Sequence, residues 1–165
     1  MIPNISDQPN ALSTLIKVVE ISAFEDWLSE QNDLVRNWIS VQAFTPSNGA
    51  HITIPNADGG MSFVLLVLTE FSWNTWSLAS LPDSLPEGLY SLDVDLDEKQ
   101  ASDVAIGWSL ACYTFDKYKK NDKKFATLVL PENADKAHVE RSVYATNLAR
   151  DLINIPTSDM GPKAL

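Results

Sequence analysis

The side chains that could bind a metal or act as a nucleophile are few and far apart in this sequence of 165 residues. The histidines are His51 and His138, and the single cysteine is Cys112. A zinc site needs three or four His, Cys or carboxylate ligands at defined spacings, and these three side chains are isolated from one another. Cys112 falls on the apolar face of a predicted helix beside Trp108, where a thiol is normally inert. The residues alone therefore reveal no active site.

An acidic run offers a second candidate for chemistry, a calcium loop. It begins at Asp93 and alternates through Asp95 and Asp97. Counted from Asp93, the sixth position is Glu98 where a calcium loop needs glycine, and the twelfth is Val104 where it needs glutamate. We interpret the run as a strand end followed by a helix cap. The Gly59-Gly60 pair likewise matches no phosphate-binding pattern.

Charge excludes two classes of partner. The chain has 12 Lys+Arg and 22 Asp+Glu, a net charge of -10, which argues against nucleic acid and against anionic membranes. The basic residues between 117 and 124 are interleaved with Asp116 and Asp122, which is typical of a solvated turn. A single cysteine, no signal-peptide pattern and no long apolar run predict a cytoplasmic protein.

The elements that must position these residues alternate between strands and helices. Strands are predicted at 11–20, 51–54, 61–68, 88–94 and 125–130 from their β-branched and apolar content. The near-continuous apolar run 61–68 is typical of a strand buried on both faces. The turn signal at Asp58-Gly59-Gly60 predicts one antiparallel pair.

Helices are predicted from the three-four spacing of apolar residues. One begins at a Ser22/Glu25 capping box and runs to Ile39, and a short one covers 73–81. Asp97 caps the next, and Asn133 caps a long last helix that ends near Ile155, before Pro156. Alternating strands and helices predict an α/β domain with a mixed central sheet flanked by helices.

The last residues carry a more specific pattern. Residues 147–165 read NLARDLINIPTSDMGPKAL and resemble the junction motif of the leucyl (cytosol) aminopeptidases: Arg-Asp-Leu from Arg150, Asn-x-Pro from Asn154 to Pro156, and Pro-x-x-Leu from Pro162. Upstream, 85–90 (LPEGLY) and 108–118 (WSLACYTFDKY) also look like the bacterial branch of that family.

The resemblance implies the N-terminal domain of a two-domain metalloaminopeptidase. The expected fold is a macro-domain-like three-layer α/β domain over residues 1–132. A connector helix at 133–155 would follow, with 156–165 starting a linker to a C-terminal catalytic domain, so the chain is expected to be a fragment. Arg150, Asn154, Pro156 and Pro162 carry over only as interdomain junction positions.

The resemblance places the chemistry elsewhere. The family's two divalent metals, zinc or manganese, and its NTDAEGRL-type ligand motif belong to the catalytic domain, so no catalytic or metal residue carries over to this chain. The parent is expected to be a cytoplasmic homo-hexamer that hydrolyses N-terminal residues from peptides. The partner of this domain would be its own catalytic domain, with Ile153, Ile155 and Met160 exposed towards it. The domain would serve assembly, substrate access or regulation.

Two alternatives remain open at the level of the sequence. One is a stand-alone macro-like module that binds a nucleotide or ADP-ribose, which Asp58 beside Gly59-Gly60 and the overall acidity oppose. The other is a small unrelated enzyme that uses Cys112 with His51 or His138.

Overall fold

A six-stranded mixed sheet forms the centre of the protein in a computed structural model that describes residues 2–8, 12–119 and 122–159. Its order is β1-β6-β5-β2-β4-β3. All neighbouring strands are parallel except β3 and β4, which form the antiparallel pair expected around Asp58. The strands are β1 (Ile5–Ser6), β2 (Thr14–Glu20), β3 (His51–Pro55), β4 (Met61–Leu68), β5 (Leu89–Leu92) and β6 (Thr127–Val129).

Helices cover both faces of this sheet. They are α1 (Phe24–Ser29), α2 (Asp33–Val41), α3 (Leu81–Ser84), α4 (Glu98–Ala111) and α5 (Lys136–Asn154), with short 3-10 turns at Ile21–Ala23 and Thr157–Asp159. Helices α1 and α2 pack on one face, and α3 and α4 pack on the other. Helix α5 packs on α4 rather than on the sheet. The α/β class and the mixed sheet flanked by helices are therefore confirmed.

Strand β4 explains the longest apolar run of the sequence. Val64, Leu66 and Leu68 belong to the core shared with α4, whereas Leu65 and Val67 belong to the core shared with α1 and α2. Successive side chains of a strand point to opposite faces. Both faces are covered, so every position from Phe63 to Leu68 is buried.

The prediction of one helix from Ser22 to Ile39 is wrong. The segment forms two helices, and the break falls where Gln31 interrupts the apolar spacing. The Gln31 side-chain amide donates to the Trp27 carbonyl, and Asn32 caps α2 by accepting from the amide of Val35. Ser22 forms no cap, because its hydroxyl bonds the Glu20 carboxylate instead. The cap at Asn32 therefore starts a second helix although the apolar spacing resumes after Gln31.

Three further predictions need correction. Residues 75–80 form turns rather than a helix, and the helix begins only at Leu81. Asp135, not Asn133, caps α5, because its carboxylate accepts from the amide of His138 while Asn133 bonds the Leu96 carbonyl. Cys112 is the C-cap of α4 rather than a residue within the helix. The Asp97 cap is confirmed, and with Gln100 it forms a complete capping box.

Helix α4 packs at Gly107 directly against backbone atoms of Thr75, at the start of the turns of residues 75–80. A Cβ atom built on Gly107 would lie 1.4 Å from the carbonyl oxygen of Thr75. Only glycine therefore fits at this point of the helix.

Candidate functional site

The junction residues named by the sequence lie where helix α5 meets the end of helix α4. One guanidinium nitrogen of Arg150 donates to the carbonyl oxygen of Leu110 at 2.7 Å. That carbonyl belongs to the last turn of α4, where the regular helical bonds end and where it also accepts from the backbone amide of Tyr113 at 3.4 Å. Arg150 also lies over the ring of Tyr113, with its guanidinium carbon 5.2 Å from the ring centroid. Arg150, which belongs to α5, thus binds the C-terminal end of α4.

Tyr113 connects the same two segments through its hydroxyl group. The hydroxyl donates to the Asp151 carboxylate at 2.8 Å and accepts from the Asn154 side-chain amide at 3.2 Å. Burial, followed by the hydrogen bond to Asp151, raises the pKa of Tyr113 above its ordinary value. The phenol therefore stays protonated and keeps donating at neutral pH. We call the contacts of Tyr113 and Leu110 with Arg150, Asp151 and Asn154 the junction clasp.

A second tyrosine, Tyr118, contacts the residues that follow α5. The amide of Ile155 closes the last turn of α5 on the Asp151 carbonyl, and Pro156 then prevents the helix from continuing. The Tyr118 hydroxyl donates to the Asp159 carboxylate at 2.5 Å. Pro162 and Met160 lie outside the described residues. Arg150, Asn154 and Pro156 therefore lie at one place, and their interdomain role stays a prediction.

We expect Arg150→Met to lower the free energy of unfolding by about 1–3 kcal/mol, the range for a hydrogen bond from a charged donor to a part-buried carbonyl. Methionine keeps much of the apolar stem but removes the charged donor, which leaves the Leu110 carbonyl with only its backbone contacts, among them the long bond from the Tyr113 amide at 3.4 Å. Urea unfolding followed by tryptophan fluorescence measures the change. The matched control is Arg141→Met on the same helix, where Arg141 is exposed. Equal effects of the two variants would contradict the clasp.

The other candidate residues of the sequence are not brought together. His51 begins the edge strand β3, His138 is exposed in the first turn of α5, and Cys112 is buried at the end of α4. Within the described ranges, no group of three or more His, Cys, Asp or Glu side chains is arranged to hold a metal ion. These residues therefore do not fit the metal centre that the resemblance implies for the parent enzyme.

A cavity of about 700 Å³ opens at the carboxyl ends of β1, β5 and β6. Its acidic side chains are Asp7, Asp93, Asp95 and Glu132. Lys136 pairs with Asp7 at this edge. A lining this acidic opposes a pyrophosphate, which needs positive charge or free backbone amides. The structure therefore does not favour the nucleotide or ADP-ribose alternative.

Cys112 should react slowly in the folded protein. Burial, with a smaller contribution from the charge of Asp83, raises the pKa of its thiol to about 12, and its Sγ donates to the Trp108 carbonyl. Because the thiolate is the reactive form, we expect alkylation at pH 8 to be about a hundredfold or more slower than in urea. Iodoacetamide labelling followed by mass spectrometry measures both rates. Similar rates would restore Cys112 as a candidate nucleophile.

Comparison with known proteins identifies the family. The family described as M17 aminopeptidase, N-terminal domain, matches residues 15–131. A probable cytosol aminopeptidase of Chelativorans sp. (strain BNC1) is 30% identical over 140 residues, which cover 74% of this chain and 28% of the relative. None of the described helices has the length and apolar character needed to cross a bilayer.

Solved structures agree with this match. The crystal structure of cytosol aminopeptidase from Coxiella burnetii superposes with a TM-score of 0.80 at 28% identity, covering 96% of this chain and 35% of that one. The bottromycin maturation enzyme BotP in complex with Mn shares the fold, with a TM-score of 0.60, 22% identity and coverage of 93% of this chain and 34% of its own. The chain thus spans about a third or less of the length of these proteins. The chain belongs to the M17 aminopeptidase family and corresponds to the N-terminal domain of that family.

Proposed function

We propose that this chain is the non-catalytic N-terminal domain of a cytoplasmic leucyl-type metalloaminopeptidase. The superposition on the Coxiella burnetii cytosol aminopeptidase carries the proposal, because it extends over 96% of this chain at 28% identity and a TM-score of 0.80. The parent enzyme would hydrolyse N-terminal residues from peptides. Its two divalent metals, manganese or zinc, would be bound in a C-terminal catalytic domain, where they would activate water and polarise the scissile carbonyl.

Within that parent, the domain would serve assembly, substrate access or regulation. Residues 1–132 would form the accessory domain, α5 would be the connector, and residues from 156 onward would lead into the catalytic domain. The junction clasp supports this division, because it fixes the last turn of α5 to α4 through Arg150, Asp151 and Asn154. A clasped helix end would give the next domain a defined starting direction. A homo-hexamer is the proposed assembly.

Two measurements test the proposal. The first is the intact mass of the gene product purified from its source cells, which we expect to be well above 18.2 kDa. The second is hydrolysis of leucine p-nitroanilide with added Mn²⁺ or Zn²⁺. We expect activity from the larger product, its loss with a chelator, and none from the 165-residue chain. A native mass of 18.2 kDa, or metal-stimulated hydrolysis by the chain itself, would contradict the proposal.

A further inference from the structure

Helix α5 has far fewer buried side chains than is usual for a helix of its length. Only Val139 and Val143 are buried among its 19 residues, whereas α4 buries nine of 14. A helix on the surface of a globular protein normally places three or four side chains per two turns against the core. Most of α5 therefore lacks the packing that usually stabilises a helix of this length.

In the second half of α5 the charged side chains face the domain and the apolar side chains face outward, which is the reverse of the usual arrangement. Its charged residues, Arg150 and Asp151, are part-buried and bond α4 and Tyr113 in the junction clasp. Its outward side is apolar: Tyr144 is 69% exposed, Leu148 44% and Ile153 82%. Ala145 and Ala149 lie on the same exposed side. We call these five residues the α5 stripe.

The α5 stripe carries no charge, although the domain has a net charge of -10. The charged outward residues of α5, among them Lys136, Glu140 and Arg141, are all in its first half. A contiguous uncharged face with an exposed tyrosine, leucine and isoleucine is typical of a surface that another protein body covers. Ile153 was expected to be exposed, and Ile155 is only part-buried. Tyr144 and Leu148 were not expected there.

We propose that the α5 stripe is the surface on which the catalytic domain of the same polypeptide docks, an inference that rests on the proposed function. The relatives have about two thirds or more of their length outside the region that this chain matches. The stripe ends at Ile153, three residues before Pro156, where helix α5 has ended. A tethered domain has a local concentration in the millimolar range, so it covers an adjacent surface without high intrinsic affinity. A second copy would need to overcome the mutual repulsion of two domains with net charge -10 each.

Side-chain footprinting with hydroxyl radicals tests this proposal. It compares the whole gene product with the 165-residue chain, using the oxidation rates of Tyr144, Leu148 and Ile153. We expect these rates to fall about threefold or more in the whole protein, since the core of an interface excludes water. Val41, which is 78% exposed on α2 beyond the opposite face of the sheet, is the reference whose rate stays unchanged.

Two variants give an independent measurement. Ile153→Glu should leave the denaturant midpoint of the isolated chain unchanged, because the side chain is exposed there. In the whole protein it should speed the release of the N-terminal domain by limited proteolysis about tenfold, since a charge would be buried in the interface. Val41→Glu, the matched control, should not speed it.

Each remaining outcome overturns the proposal in a recognisable way. Full oxidation of the stripe in a whole protein that hydrolyses leucine p-nitroanilide removes the docking surface and leaves the proposed function standing. Protection that is already present in the isolated chain and disappears on dilution assigns the stripe to a second copy. A gene product without a further domain removes the docking partner together with the proposed function.

Discussion

Gly107→Ala is expected to destabilise the fold by about 3 kcal/mol or more, at the upper end of what overpacking costs. Alanine is ordinarily the better residue inside a helix by about 1 kcal/mol, so helix propensity alone predicts the opposite sign. The packing decides, because the new Cβ would lie 1.4 Å from the Thr75 carbonyl oxygen. Thr75 meets Gly107 with backbone atoms, so no side-chain rotation relieves the overlap.

Chemical unfolding of the Gly107→Ala variant measures this effect, and Gly88→Ala is the matched control. A Cβ on Gly88 would meet Tyr90 at 3.5 Å, which is ordinary van der Waals contact. We expect the control to remain within about 0.5 kcal/mol of the parent chain. A Gly107→Ala variant as stable as the control would show that residues 75–80 move away from α4 at little cost.

The second large effect concerns Trp108, whose side chain is fully buried at the centre of the core between α4 and the sheet. Trp108→Ala is expected to cost about 3–5 kcal/mol, since it removes the largest buried side chain and leaves a cavity. The indole nitrogen also donates to the Ala126 carbonyl at 3.1 Å, next to β6. Its loss leaves that buried acceptor without a partner.

Trp108→Phe separates the two contributions, because it keeps most of the ring volume and removes the donor. We expect a loss of about 1–3 kcal/mol for the unpaired Ala126 carbonyl. Trp76→Ala is the control of matched type, since that indole is 63% exposed and should contribute about 0.5 kcal/mol or less. Urea unfolding followed by circular dichroism avoids relying on tryptophan fluorescence. Similar losses for Trp108→Ala and Trp76→Ala would contradict the burial assigned to Trp108.

The features of the fold that were predictable are those in which local chemistry and global packing agree. The apolar run of β4 requires cover on both faces, and the structure provides it. Asp97 three residues before Gln100 specifies a capping box, which forms. The prediction of a single helix from Ser22 to Ile39 was wrong, because Gln31 alone interrupts the apolar spacing there, and one polar residue does not by itself end a helix. Only the cap offered by Asn32 marks the second start, and caps of this kind also occur in turns.

Two residues of the junction clasp, Arg150 and Asn154, were named from the sequence, but their contacts were not predictable. Arg150 and Asn154 were found through a resemblance, whereas their partners Leu110 and Tyr113 lie about 40 residues earlier in the chain. Charged residues such as Arg150 and Asp151 are by default placed outward. Their inward orientation, and therefore the outward apolar stripe, follows only from the contact between α4 and α5. A sequence pattern does not show which face of a helix is left uncovered when the helix packs on another helix rather than on a sheet.

The position of β1 at the sheet edge has a consequence for synthesis on the ribosome. Ile5 pairs with Leu128 and Ser6 with Val129, so, of the strands in the described residues, the first along the chain is paired to the last. Strands β2, β3 and β4, which form the other side of the sheet, are complete by Leu68 and are able to pair much earlier. Strand β1 therefore waits until about residue 129 has been made before its edge of the sheet exists. The order of synthesis therefore allows pairing to proceed across the sheet from the β3 edge, and closure at β1 becomes possible last.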